Sequence, residues 1–289
     1  MNVFDGIGDL PVFSPDLETV RTITVPGQAR IGGESVARVS FVEALLPGDT
    51  LLAVARRRRM PNDPPGVGSS VLVRLPGDGT AIVIREWSEE NATARLTLGT
   101  GYAEVGVPFA ISVLTSTAPD GTRFGTVETT VSGTDGGSVR LMIVDDHGRE
   151  LLNKSFPFEA IPIPHAEVEA AIQSIGRRRP DAPANRPQMP PDRAEKFRTL
   201  VRDKIPPTRS PIRSLVLAGD GRIWLQPRVE AAGVPWLILD ASGQAQARVV
   251  LPAETNMQVA GRNSVWVLEA DTFQVQSVVE YAVVGSRKN

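Results

Sequence analysis

Two imidazoles are all that this chain offers for general acid–base or metal chemistry, His147 and His165, and it contains no cysteine. Cysteine nucleophiles, thiolate metal sites and disulfides are therefore excluded. His147 follows Asp145 and Asp146 in the run Asp-Asp-His-Gly, a set that could suggest a metal site. Adjacent residues on one tight turn seldom converge on a single ion, so the reading is a solvated turn. His165 opens a helical stretch and reads as surface. A serine hydrolase needs a serine, a histidine and an acid brought together. No Gly-x-Ser-x-Gly occurs, and neither histidine has a suggestive neighbourhood. Two basic runs, Arg56–Arg59 and Arg177–Arg179, lack flanking aromatics, and the net charge is -2, so nucleic-acid binding is not expected. Trp87, Trp224, Trp236 and Trp266 all fall on strand-like segments. Packing between sheets is the reading for these four, with a stacking platform for sugars as the functional alternative.

The elements that position these residues are short strands. Of the 289 residues, 41% are hydrophobic and 22% charged, a globular balance with ample length for a core. No apolar run approaches the ~18–20 residues of a membrane-spanning helix. The opening MNVFDGIGDLP has neither a basic region nor an apolar one, so it is not read as a secretion signal.

Pro211–Pro252 organises the rest. Strands are read at Arg213–Ala218, Arg222–Gln226, Pro235–Leu239 and Gln246–Leu251, joined by the turn Gly219-Asp220-Gly221, a loop, and the turn Asp240-Ala241-Ser242-Gly243. An Asp-containing turn followed by a strand closed by Pro recurs at 13–26, 144–158 and 239–252. A Gly/Asp turn leading into an apolar strand recurs at 47–55, 76–84, 119–127, 219–226 and 261–269. Asp78 to Asp120 spans 42 residues and Asp220 to Asn263 spans 43, the ~40–50-residue period of propeller blades. Asp120 to Asp220 spans 100, too long for one blade. The excess is a helical insertion at about 164–206. Val168, Ala171, Ile172 and Ile175 share one helical face, and Gly176 is the stop. A Pro-rich linker follows. A second helix begins at an Asp192–Glu195 capping box, carries Ala194, Phe197, Leu200 and Val201 on its apolar stripe, and ends at Pro206-Pro207. The blades are placed at 36–92, 93–160, 207–252 and 255–285, after a partial one near 1–30, with about 17 strands in all.

The run IPIPHAEVEAAI, the charged helix, KIPPTRSPIRSLVLAGDGRIWLQ and PWLILDASGQAQARVVLP together resemble bacterial six-bladed β-propellers of the NHL/TolB-like type. Asp220, Ile223 and Trp224 match one hairpin motif of that family, and Trp236, Asp240 and Gly243 match the other. The resemblance is best over 160–285. It implies an all-β propeller of six-bladed type over 1–289, carrying the two-helix insertion; since six four-stranded blades need about 24 strands, the count of about 17 makes this chain N-terminally short, with about four to five blades in an open arc. It also implies export to the periplasm or cell surface, although this chain shows no signal peptide. The matching positions are structural, so the resemblance assigns no catalytic residue, cofactor or metal ligand. Fold alone does not fix function. The first expectation is a non-enzymatic binding or scaffold module for a protein or small ligand. The second is a metal-dependent hydrolase or lyase in the central channel. For that site Glu43, Glu86, Asn91 and Glu280 are candidate oxygen donors. Three or more carboxylate or amide oxygens converging on one point would favour the enzyme.

Overall fold

The computed structural model describes residues 9–13, 19–31, 35–57, 69–76, 80–88, 92–98, 101–132, 135–177, 189–229, 232–270 and 275–283. Among them are twenty strands and two α-helices, three strands more than the sequence suggests. The fold is an all-β, propeller-like arrangement of four units stacked face to face.

The chain opens with a hairpin of β1 (Asp9–Phe13) and β2 (Thr19–Thr24). Strands β3 (Gln28–Ile31), β4 (Ser35–Leu46), β5 (Thr50–Arg57), β6 (Ser69–Leu75) and β7 (Thr80–Ser88) follow. These five do not make the open blade expected at 36–92. They close into a barrel, because β3 pairs in parallel with β7 through Arg30–Thr80 and Ile31–Ala81. A five-stranded barrel has a narrow interior, which side chains must fill without crowding. Ala29, Ala37, Ala53, Ala55 and Ala81 meet that demand, packed among Val39, Leu51, Val71, Val73 and Leu75. The alternate residues Leu52, Val54 and Leu72 point out of the barrel and are also buried. Strand β5 thus lies between two cores. That is why TLLAVA reads as one apolar run, as a doubly buried strand does. The opening hairpin lays Leu10 and Ile23 on the barrel core and does not belong to a blade. Its expected Pro15-Asp16 turn lies outside the described residues.

Strands β8 (Thr93–Leu98) and β9 (Gly101–Gly106) form a separate hairpin, so the second sheet starts later than residue 93. That sheet is an antiparallel meander of β10 (Leu114–Thr117), β11 (Arg123–Val131), β12 (Gly136–Asp145) and β13 (Glu150–Glu159). Between it and the third sheet come α1 (His165–Ser174) and α2 (Pro191–Arg202). The third sheet has β14 (Ile212–Leu217), β15 (Ile223–Pro227), β16 (Val234–Leu239) and β17 (Ala245–Leu251), matching the expected strands. The fourth has three, β18 (Asn256–Ala260), β19 (Ser264–Ala270) and β20 (Gln276–Ala282).

Consecutive sheets bury opposite faces of the same strands. Leu215, Leu217 and Leu225 of the third sheet meet Val127, Leu141 and Ile143 of the second. Val216, Trp224, Trp236 and Ile238, on the other face, meet Met257, Val265 and Val267 of the fourth. Trp224 and Trp236 are 0% and 2% exposed. Arginines tie the row of turns together. Arg123 donates to the carbonyls of Ala218 (2.7 Å) and Gly219 (3.4 Å) in the next sheet's turn. Arg222 repeats the move, donating to the carbonyls of Gly261 (2.7 Å) and Arg262. Gly121 adopts a left-handed φ of 71°, and a Cβ there would lie 2.6 Å from Leu46 Cδ2. Glycine is therefore required where this turn meets the barrel.

The helical insertion appears where expected, and its cover is the β8–β9 hairpin. Ile175, Phe197 and Val201 pack with Ala94 and Val107. Gly176 has a left-handed φ of 81° at the end of α1, as its stop position requires. The Asp192–Glu195 capping box does not form. Pro190 occupies the N-cap with no side-chain cap bond, and Asp192 sits inside the first turn. A proline at the first helical position has no N–H to satisfy, which removes part of the need for a cap. Glu195 pairs instead with Arg198 at 3.1 Å.

Trp224→Ala should cost ~3–5 kcal/mol, because the ring is fully enclosed. Urea denaturation checks this, and an unchanged midpoint would contradict the packing.

Candidate functional site

The described side chains enclose a cleft of about 510 Å3 where the barrel's β7 meets β11 and β12 of the second sheet. Strand alternation decides which residues line it. On β7, Arg85 and Trp87 both face the seam. On β11, Phe124, Thr126 and Glu128 share the seam face, opposite Val144, Met142 and Arg140 of β12. The apolar floor is Trp87, stacked on Phe124 with ring centroids 5.9 Å apart, together with Met142 and Val144. Ile111 and Val113 extend the lining.

Arg85 is the central polar group. Its guanidinium pairs with Glu128 at 2.5 Å, with the two side chains 15% and 28% exposed. It also contacts the Met142 sulfur. Its Nε is buried and makes no hydrogen bond within the protein. Arg140 lies opposite Glu128 in the sheet register and donates to Asn153 at 3.0 Å. Glu86 reaches the other way, to Arg57 at 3.0 Å. The lining thus has an apolar floor and a rim with both signs of charge. Ser88 and Ser112 are present, but no histidine lines the cleft. A serine there has no imidazole base, so the arrangement suits binding better than acyl transfer.

A second depression, of about 650 Å3, lies among Asp220, Arg222, Arg262 and Asn263. Here Arg222 is committed to Asp220 (2.8 Å) and to the two carbonyls of the next turn. Its first role is to join two sheets.

The sequence candidates are dispersed. Asp145, Asp146 and His147 are the single group of potential ligands that come together among the described residues. Their atoms already have work in the turn. Asp145 accepts the backbone N–H of His147 (3.0 Å) and of Arg149 (2.8 Å), and the Arg149 side chain at 3.0 Å. The bond from the Arg149 backbone does most to hold its carboxyl below the usual range. His147 Nδ1 lies 2.8 Å from Asp146. Asp240 does the same turn-forming task, and the Ser242 hydroxyl and Gln244 N–H bring its pKa down to about 2. His165 is exposed.

Glu43 sits on the barrel and Glu280 on the fourth sheet, while Glu86 pairs with Arg57; Asn91 lies outside the described residues. Arg56 and Arg57 close β5, and Arg177 follows α1; Arg58, Arg59, Arg178 and Arg179 lie outside the described residues. Three tryptophans pack between units. Trp266 is the exception, 43% exposed on the outer face of the fourth sheet, where no further sheet among the described residues covers it. Arg85, Glu128 and Arg140 were not singled out in the sequence. Their signal is a charge at a core-facing position of an apolar strand, as in AIVIREW.

No family model matches the chain, and no curated protein sequence is similar to it. Among solved structures, the chain is similar to one in a trigonal crystal form of an ACO/RPE65 chimera, at 9% identity and a TM-score of 0.36. The match covers 97% of this chain and 55% of that one, so this chain spans about half the length of the structure it resembles.

The barrel–sheet seam also holds a half-buried acid. Glu43 accepts a hydrogen bond from the Thr117 hydroxyl at 2.9 Å. Burial raises its pKa above 4.5, and the Thr117 bond offsets this only in part. An acid whose folded pKa is raised holds its proton longer when folded. Stability therefore falls as pH rises from about 4.5 through the folded pKa. Glu43→Gln keeps an acceptor for Thr117 and removes the charge. It should raise the melting temperature near neutral pH and leave it nearly unchanged in acid. Melting curves across that range check this, and an equal shift at every pH would contradict it.

Proposed function

We propose that this chain is a non-enzymatic binding or scaffold β-propeller, a single domain over 1–289 that holds a small ligand or peptide segment in the barrel–sheet cleft. The observation that carries this reading is Arg85, paired with Glu128 and set with Arg140 beside an apolar floor in one cleft. Pockets that bind small molecules combine apolar walls with a few convergent polar groups and favour junctions between structural units. The ligand class is an amphiphile, with an apolar part on Trp87 and Met142 and a polar part that exchanges hydrogen bonds with Arg85, Glu128 and Arg140. Nucleic acid does not fit, because acids and bases alternate around the rim.

The kinship we propose is with bacterial NHL/TolB-like six-bladed propellers, in a form reduced to four units. It rests on the matching turns at Asp220 and Asp240, each of which caps its hairpin by accepting the N–H two residues on. The competing metal-dependent hydrolase needs converging oxygens. Among the described residues the one group of potential ligands that comes together is Asp145, Asp146 and His147, and Glu43, Glu86 and Glu280 are not part of it.

A ligand that binds only the native state raises its melting temperature. Calcium is expected to leave that temperature unchanged. A set of small amphiphilic fragments, followed by saturation-transfer NMR, is expected to yield binders whose signal is lost in Arg140→Ala and weakened in Arg85→Lys. A calcium-dependent rise, or fragment binding indifferent to both substitutions, would overturn the reading.

A further inference from the structure

The fourth sheet ends one strand short of the second and third, and its outer strand β20 has no partner beyond β19 among the described strands. The N–H of Val283 bonds the carbonyl of Asn263 at 2.7 Å. Alternation along an antiparallel strand then turns the backbone groups of Ser277, Val279 and Tyr281 toward β19. Those of Gln276, Val278, Glu280 and Ala282 face outward. Natural proteins protect such edges with lysine, proline or bulges. The outer strand of the second sheet, β13, carries both Lys154 and Pro157. Strand β20, QSVVEYA, carries neither, and its pairing with β19 has no bulge.

We propose that β20 pairs antiparallel with β20 of a second copy of this chain, making a two-fold dimer through one continuous six-stranded sheet. The register follows from charge. Centring the two-fold on Val279 aligns all seven residues and makes hydrogen-bonded pairs of the outward-facing ones. Val278 of one copy then lies opposite Glu280 of the other, and Gln276 opposite Ala282. Shifting the axis to Glu280 would set two carboxylates face to face, which is destabilising. The outer face supports the same partner. Val278 and Trp266 are 64% and 43% exposed there, with Val259 beside Trp266 in the register. Trp266 lies opposite Glu280 in its own sheet, so the pairing brings Val278 of the other copy next to that row, and the same contact is made twice about the axis, as an isologous interface requires. The proposal is independent of the cleft and its ligand.

Light scattering during size exclusion, over a dilution series, should show a dimer of the 31.0 kDa chain. Val278→Glu sets like charges opposite each other twice per dimer, and should raise the dissociation constant roughly tenfold or more. Adding Glu280→Lys to that variant restores opposite charges in the proposed register and should restore the dimer. Val278 is exposed, so far-UV circular dichroism and the denaturation midpoint of the single variant should match the native chain. A native chain that stays monomeric would assign the edge to some other strand and overturn the proposal. So would a dimer indifferent to Val278→Glu, or a loss that Glu280→Lys fails to rescue.

Discussion

The structure depends on strands that bury both faces at once. In β14 to β16, alternate side chains serve two cores. Leu215, Leu217 and Leu225 belong to one, and Val216, Trp224 and Ile238 to the other. A sheet with two apolar faces is stable only when both are covered, so each sheet in the stack makes the next one necessary. Apolar burial has no direction and cannot by itself fix how one sheet is rotated on the next. Direction comes from the turns. Arg123 and Arg222 each reach the carbonyls of the following turn, and hydrogen bonds from a charged donor contribute about 1.5–3 kcal/mol apiece. Two consecutive turns thus use an arginine to tie one sheet to the next. In the fourth turn the corresponding position holds Asn263-Ser264, so no arginine extends the series.

A stack of this kind has two ends, and the chain treats them differently. At the start, β3 to β7 curl round until β3 meets β7, so the unit's inner face is covered by itself. The alanines at interior positions permit that curvature, since larger side chains would hold the strands apart. Closure also removes the unit's edges, which is the one complete solution to strand-edge exposure. The far end is a three-stranded sheet whose outer face exposes Val259, Trp266 and Val278. The stack thus has a self-sealed end and an open one.

The third sheet was legible in the sequence because Asp220 and Asp240 mark its two turns, each capping its hairpin by accepting the N–H two residues on and so fixing register locally. In the fourth sheet the turn Gly261-Arg262-Asn263 marked the hairpin of β18 and β19. The barrel was not legible. A strand buried on both sides reads as the same apolar run whether it lies between two blades or between a barrel interior and a blade, and nothing local in TLLAVA distinguishes them. The parallel contact between β3 and β7 joins residues about 50 positions apart, as from Arg30 to Thr80. The alanine content of β3, β4 and β5 was the available sign. Trp266 failed for a related reason. Its strand alternates like any inner strand, and among the described residues no fifth unit lies over it. The cleft was hidden because it is assembled from single residues on three strands, with no motif in any one of them.

The seam between barrel and second sheet is also where half-buried and buried polar groups collect: Glu43 with its raised pKa, Arg85 with Glu128, and the Thr126 hydroxyl, which is fully buried and has no hydrogen-bond partner among the described residues. Between the second and third sheets the corresponding contact is a run of leucine, isoleucine and valine. The difference follows from shape. Two sheets of similar twist can pack along their whole length, whereas a closed barrel curves away from a flat sheet and leaves the strands diverging beyond the contact. Apolar side chains cannot fill that wedge without strain or voids, and water or a ligand can. Burying polar groups there costs stability unless they are satisfied. Departures from an apolar, fully paired core tend to fall at functional sites. The curvature that seals one end of the stack therefore also opens the cleft, and places it at the junction of the two kinds of unit.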